Sequence, residues 1–204
     1  MNDNYTLGIN YLHSDTSACI FRNGQLVAAS EEERFTRVKH TSVFPKNSIN
    51  FCLNEAKINI SEVKYITINS NPFTSIHKKI AFILKNLNSF EIILQSLKNT
   101  KNKVSLIDKI LKIDKKNKFK GKIKYIDHHN SHIASSLYFS NFTNSVNVSI
   151  DGFGDFASSA WGSYHNNKFR LENKIYFPHS LGIFYQSLTQ FIGFKSYGDE
   201  YKVM

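Results

Sequence analysis

YTLGINYLHSDTSACIFRNGQLVAASE, residues 5–31, is the stretch whose reading decides the fold. YTLGINY (5–11), SACIFR (17–22) and QLVAASE (25–31) each read as a strand. Asn23-Gly24 between the last two is a strong hairpin signal, because both central residues of a type I′ turn need positive φ. Between the first two strands lie short polar residues, His13 to Thr16. The chain therefore opens with three consecutive strands joined by tight turns.

Outward from there, helix and strand alternate. After Pro45, residues Ile49, Cys52, Leu53 and Ala56 recur at helical spacing, and VKYITIN (63–69) is a further strand. A long helical region is expected from about Ser75 to Leu111, broken near 99–103. KIKYI (122–126) is then a strand leading into a helix over about 128–139. Three antiparallel strands followed by alternating helix and strand make a ribonuclease-H-like lobe. A second start appears at VNVSID (146–151), followed by GFGD, strands near 157–164 and 169–176, and a helix at about 180–193. The expected class is α/β, of the actin and sugar-kinase type. A complete first lobe would cover 1–142 and an incomplete second lobe 143–204. In that superfamily a nucleotide lies between the lobes, with its phosphates over the two strand–turn–strand loops.

Composition narrows the function classes. The net charge of +10 looks like a nucleic-acid signal until it is located. Residues 101–124 hold ten Lys against Asp108 and Asp114, so this one segment carries most of the excess. Phosphate and base readout favour the planar fork of Arg, and the whole chain has only four. A solvated Lys-rich helix and loop is the preferred reading, and nucleic acid is not an expected partner. No apolar run approaches the ~18 residues that would cross a bilayer, so no membrane partner is expected. The start, MNDNYTLGIN, has no basic segment of a signal peptide. Cys19 and Cys52 sit in apolar patterns with no C-x-x-C, so a reducing cytoplasm is the expected location.

Several stretches carry candidate chemistry. In the first turn, Asp15 and Ser17 with their neighbours leave backbone N–H groups that can receive an anion, and His13 can exchange a proton with it. A plain hairpin loop explains the same residues. EEERFTRVKH (31–40) is either a solvated charged loop or a clamp for a phosphorylated substrate, in which carboxylates orient Arg37 and Lys39. IDHHNSH (126–132) places His128 and His132 four residues apart, one turn along the same helix face. Such a pair is either incidental or half of a metal site. Asp151, at the end of the strand VNVSID, is a candidate third ligand, and imidazole plus carboxylate suits Fe(II), Zn or Mn. Gly152 and Gly154 either let a ligand approach the backbone or simply make a turn.

Taken together, GINYLHSDTSA (8–18), N-G-x-L-V-A-A-x-E-E-E-R-F-T-R-x-K-H (23–40) and F-P (44–45) resemble the NodU/CmcH-type O-carbamoyltransferases. HHNSHIASS (128–136), IDGFGD (150–155), P-H-S-L-G-x-x-Y (178–185) and G-D-E-Y-K-V-M (198–204) extend the resemblance over essentially the whole chain. The resemblance implies an N-terminal domain similar to the tRNA threonylcarbamoyl-transferring proteins, followed by a C-terminal adenylate-forming domain that is a further expected partner. It implies synthesis of carbamoyl-adenylate from carbamoyl phosphate and ATP, then transfer to a hydroxyl of a small-molecule or sugar acceptor. It also implies iron held by an H-x-x-x-H pair and aspartate, which carries over to His128, His132 and Asp151. His13 is then the candidate general base. Asp15, Ser17, Arg37, Lys39, Gly152, Gly154 and Lys202 form the substrate- and phosphate-binding set. The glycine-rich nucleotide loop and adenylate-forming residues of that family are not among these 204 residues. The chain alone is therefore expected to be inactive, and the alternative is a non-catalytic or split-enzyme binding lobe.

Overall fold

The computed structural model describes residues 3–11, 13–86, 106, 108–110, 113–114, 116–196 and 198–204. The chain divides into two compact units, Met1–Pro72 with Ile83–Ile126, and Phe73–Phe82 with Asp127–Met204. The sequence division at 142/143 and this one differ in two places, Phe73–Phe82 and the stretch from Asp127 to residue 142 that holds the next helix. That helix packs on the second sheet through Ile133 and Leu137.

In the first unit the three opening strands form as expected: β1 (Tyr5–Asn10), β2 (Ser17–Arg22) and β3 (Gln25–Glu31). Asn23 and Gly24 take φ of 52° and 86°, the left-handed pair that a two-residue turn in this hand requires. Two parallel strands join on the far side of β1, β4 (Val63–Ile68) and β5 (Lys122–Tyr125), giving the order β3-β2-β1-β4-β5. Antiparallel pairing at one end and parallel pairing at the other is the ribonuclease-H-like arrangement. β1 alternates buried Tyr5, Leu7 and Ile9 with half-buried Thr6, Gly8 and Asn10, so one face feeds the core. Ile20, Ile66, Leu106 and Ile110 complete that core with Ile49 and Cys52. Burial pushes the Cys52 thiol up to about 12, which makes it a core residue and not a nucleophile.

The stretch EEERFTRVKH is not solvated throughout. It holds a short helix, α1 (Glu33–Thr36), closed by Arg37 in the left-handed conformation at φ 58°. Glu32 is 1% exposed and turned inward. The next helix, α2 (Lys46–Ala56), starts after Pro45, which offers no capping side chain. Glu32 caps it from a distance: its carboxylate accepts from Asn47 N at 3.2 Å and Nδ2 at 2.7 Å, and from Ser48 N at 2.8 Å and Oγ at 2.9 Å. A negative group at two free N–H donors of a helix start is favourable on both hydrogen-bonding and dipole grounds.

Helix α3 (Ile76–Lys85) is one described part of the long helical region expected from Ser75 to Leu111, and residues 106 and 108–110 near its end are helical too. Residues 87–105, with the break expected near 99–103, lie outside the described residues. The second unit contains α4 (His128–Leu137), the strands β6 (Ser145–Gly154), β7 (Ala157–His165) and β8 (Lys168–Tyr176), and α5 (Leu181–Phe191). The three strands form an antiparallel sheet in the order β6-β7-β8, repeating the opening meander of the first sheet. No helix among the described residues is long and apolar enough to cross a membrane.

Glu32→Ala is expected to lower stability by about 3 kcal/mol, because it strands several buried donors at once. Glu32→Gln, which keeps one carbonyl acceptor, should lose clearly less. Urea denaturation of both variants checks this, and an unchanged midpoint in Glu32→Ala would remove Glu32 from its capping role.

Candidate metal centre

The centre is built on the first turn of α4. Asp127 takes extended backbone angles at the N-cap, and its side chain accepts from Asn130 N at 3.2 Å, the local hydrogen bond that starts the helix. His128 N–H donates to the Asp155 carboxylate at 2.9 Å. One turn later His132 stands above His128, with ring centroids 4.6 Å apart.

Opposite them, β6 breaks its ladder with β7 between Ile150 and Gly154. An irregularity of this kind re-aims the side chains it releases, and Asp151 is one of them. Its Oδ2 lies 2.7 Å from His128 Nε2 and 3.4 Å from His132 Nε2, while the two Nε2 atoms are 3.0 Å apart. The other oxygen accepts from Gly152 N at 2.6 Å. His128 is buried, with 6% of its side chain exposed, whereas His132 and Asp151 are 52% and 38% exposed. The triangle therefore opens toward solvent on one side.

Without a metal the triangle needs one particular tautomer, in which a hydrogen on His128 Nε2 serves both Asp151 Oδ2 at 2.7 Å and an unprotonated His132 Nε2 at 3.0 Å. If both imidazoles carry hydrogen on Nε2 to serve Asp151, the two N–H groups oppose each other across 3.0 Å. If His128 Nε2 is unprotonated, its lone pair faces the carboxylate at 2.7 Å. A single cation answers all three lone pairs. Ligands each ~2.1 Å from one ion stand roughly 3.0–3.4 Å apart, close to the edges seen here. The donor set thus fits a divalent transition metal. Hydrogen bonds from His128 and His132 also hold the Asp151 carboxyl well below the usual carboxylate range.

Two glycines permit this approach. A Cβ on Gly154 would sit 1.9 Å from His128 Cδ2, so the close neighbour of this backbone is the imidazole itself. Gly152 is ordinary by comparison, with Ile183 Cδ1 at 3.5 Å. Sequence reasoning missed Gly182, where a Cβ would meet the Asp151 carbonyl at 2.4 Å. It also missed Ser180, whose hydroxyl caps α5 by accepting from Ile183 N and donates to Gly152 O at 2.7 Å. Both lie in the P-H-S-L-G run, whose small residue and hydroxyl were the available signal. His129, also missed, is fully buried with Nδ1 2.8 Å from Ser149 Oγ, and burial pushes its imidazole below its ordinary value.

The other candidates stand apart from this triangle in what they contact. In the first unit, Asp15 adopts φ 60° and its carboxylate lies 3.0 Å from His40 Nδ1. His13 is half-buried in the same turn, and Ser17 begins β2 opposite Asn10 and Glu31. Arg37 and Lys39 are exposed. The carboxylates of Glu31 and Glu33 face Arg34, at 3.2 and 3.9 Å, and not Arg37 or Lys39. In the second unit, Lys202 is paired with Asp199 at 2.6 Å.

Comparison with known proteins gives a consistent relationship. Residues 5–204 match the family described as Carbamoyltransferase N-terminus. The chain is 34% identical over 207 residues to an uncharacterized protein of Synechocystis sp., covering 98% of this chain and 34% of that protein. It is 29% identical over 194 residues to the nodulation protein NolNO of Sinorhizobium fredii, covering 95% of this chain and 27% of that protein. A third relative, an uncharacterized protein of Methanocaldococcus jannaschii, is 30% identical over 199 residues, covering 97% and 32%. The chain thus spans about a third of the length of the curated relatives it matches. YeaZ from Pseudomonas aeruginosa is similar in structure over 86% of this chain and 68% of that chain, with 13% identity and a TM-score of 0.42.

Gly154→Ala should force the His128 ring out of the triangle, since the added carbon overlaps the imidazole. Ring signals of His128 in a 15N NMR spectrum are expected to move, with a lower melting temperature. Retention of both would show that the close approach is not required. The His129 imidazole adds a pH dependence. Its folded value lies below the unfolded ~6.5, so the unfolded chain binds more protons between the two. Its stabilisation is then complete above ~6.5 and declines as pH falls toward the folded value. Denaturation midpoints measured between pH 7.5 and 5 should fall more steeply in the parent than in His129→Gln, and equal slopes would exclude this ring as a source.

Proposed function

The chain belongs to the carbamoyltransferase N-terminus family, and from that premise we propose that it is the transfer domain of a longer O-carbamoyltransferase. The acceptor is a hydroxyl of a small molecule or sugar, and the donor is carbamoyl-adenylate, made from carbamoyl phosphate and ATP by an adenylate-forming domain. The observation that carries this reading is the convergence of His128, His132 and Asp151 on one point.

In the proposed reaction the acceptor oxygen bonds to the carbamoyl carbon. The bond from that carbon to the adenylate phosphate oxygen breaks, and AMP leaves with the electron pair. The acceptor's proton passes to a base, and His13 is assigned that role because imidazole titrates near neutral pH. Arg37 and Lys39, exposed cations without a carboxylate partner among the described residues, are assigned to phosphate oxygens. Asp15 orients His40 beside them. Held by His128, His132 and Asp151, Fe(II) or another divalent transition metal would supply Lewis-acid stabilisation of developing negative charge. Lys202, in the second unit, is also assigned to substrate binding, and its ammonium must leave Asp199 to reach a substrate.

The test has two arms. The chain should take up about one equivalent of Fe(II), Zn or Mn, and His132→Ala should abolish uptake while leaving circular dichroism unchanged. Labelled carbamoyl phosphate with ATP should yield a carbamoylated acceptor only when the remainder of the longer protein is supplied. Normal metal uptake by His132→Ala would end the metal assignment. Transfer by the 204-residue chain alone would end the division of labour, and transfer in neither case would favour a binding lobe without turnover.

A further inference from the structure

Lys174 breaks the pattern of its strand. On β8, Phe169 and Leu171 turn inward and pack against Ile133 and Leu137 of α4. The register then shifts, because Leu171 pairs with Gly162 and Asn173 with Trp161, leaving Glu172 as an extra residue. That bulge changes which residues face inward, so the next inward side chain is Lys174. Its side chain is 7% exposed, and Nζ reaches Asp127 Oδ2 at 2.5 Å, a carboxylate that is itself only 10% exposed.

We infer that Lys174 is a positioning residue for the candidate metal centre, holding Asp127 and through it the first turn of α4. The inference rests on reading the triangle as a metal site. Asp127 is tied at several atoms: Oδ2 by Lys174, Oδ1 by Asn130 N, and its carbonyl by Ser131 N at 3.0 Å and Ser131 Oγ at 3.1 Å. The next residue is His128. Any rotation of the Asp127 carboxylate toward solvent would release the helix cap and let both imidazoles swing away from Asp151. A buried ion pair is poor evidence for stability as such, since well-packed apolar residues often do as well. It does specify one arrangement, because either partner left alone is an uncompensated buried charge. Lys174 also offsets the Asp127 charge, which leaves the Asp151 carboxylate as the anion that faces both imidazoles.

The test compares the chain with its Lys174→Met, Lys174→Arg and Asp127→Asn variants. Each is titrated with Co(II), read by visible ligand-field absorption. Ring 15N signals of His128 and His132 are recorded without metal, beside the methyl signals of Ile133 and Leu137. Lys174→Met should weaken Co(II) binding by about 10- to 100-fold, the usual cost of removing an outer partner of a ligand. It should move both ring signals and leave the methyl signals in place. Lys174→Arg keeps the charge and should stay within about threefold of the parent. Asp127→Asn keeps a capping oxygen but not the charge, and should resemble Lys174→Met. Parental Co(II) affinity or unmoved ring signals in Lys174→Met would overturn the inference, as would an equal loss in Lys174→Arg. If Lys174→Met does not fold, Asp127→Asn decides by the same two readings. If the parent chain takes up no Co(II), the metal reading fails, and the metal-free ring signals alone decide whether Lys174 positions the imidazoles.

Discussion

The centre depends on how closely the first turn of α4 lies against the backbone of β6. Nothing larger than hydrogen fits at Gly154 beneath the His128 ring, and nothing larger fits at Gly182 beside the Asp151 carbonyl. Between those two contacts the strand leaves its ladder and delivers a carboxylate to a pair of imidazoles that helical spacing has already aligned. Neither element makes the site alone. A helix carrying His at i and i+4 has a common occurrence and no chemistry of its own. A third donor at hydrogen-bond distance turns the pair into a group of three atoms that could hold an ion.

The strands and the two-residue turn were readable in the sequence because their causes are local. Alternation puts Leu7 and Ile9 on one face, and Asn23-Gly24 supports the left-handed turn with no help from elsewhere. The same holds for the histidine pair, whose alignment follows from 3.6 residues per turn. Asp151 was readable for a different reason, as the polar residue that ends an apolar strand before a glycine.

Residues with long-range causes escaped. Glu32 looked like one of three solvated carboxylates, yet it caps a helix that begins fourteen residues later. Nothing in EEERFT tells which of the three turns inward; the signal is the missing cap at Pro45, visible only once both ends are in place. Lys174 is similar. Its inward direction follows from a bulge opposite Trp161, and without that shift of register the sequence places it on the wet face. In both cases a charge is buried at the start of a helix, where it answers either free N–H groups or the carboxylate that does so.

The two units differ in what holds them. Among the described residues of the first, fifteen apolar residues are buried in one cluster, with β-branched and leucine side chains predominating. Among the described residues of the second, the cluster is Ile133, Leu137 and Ala160, and the buried remainder includes His128, His129, Ser149, Ser158 and Ser159. A large apolar side chain contributes about 1.5–3 kcal/mol on burial, whereas a hydrogen-bonded polar one contributes about 1 net and costs 1–3 when its partner is lost. The second unit is therefore stabilised through the groups that surround its centre. An ion that binds only the folded triangle adds about 2.7 kcal/mol at a hundred times its dissociation constant. That is comparable to one large buried apolar side chain, so on the metal reading occupancy of the centre would be coupled to folding of the sheet around it.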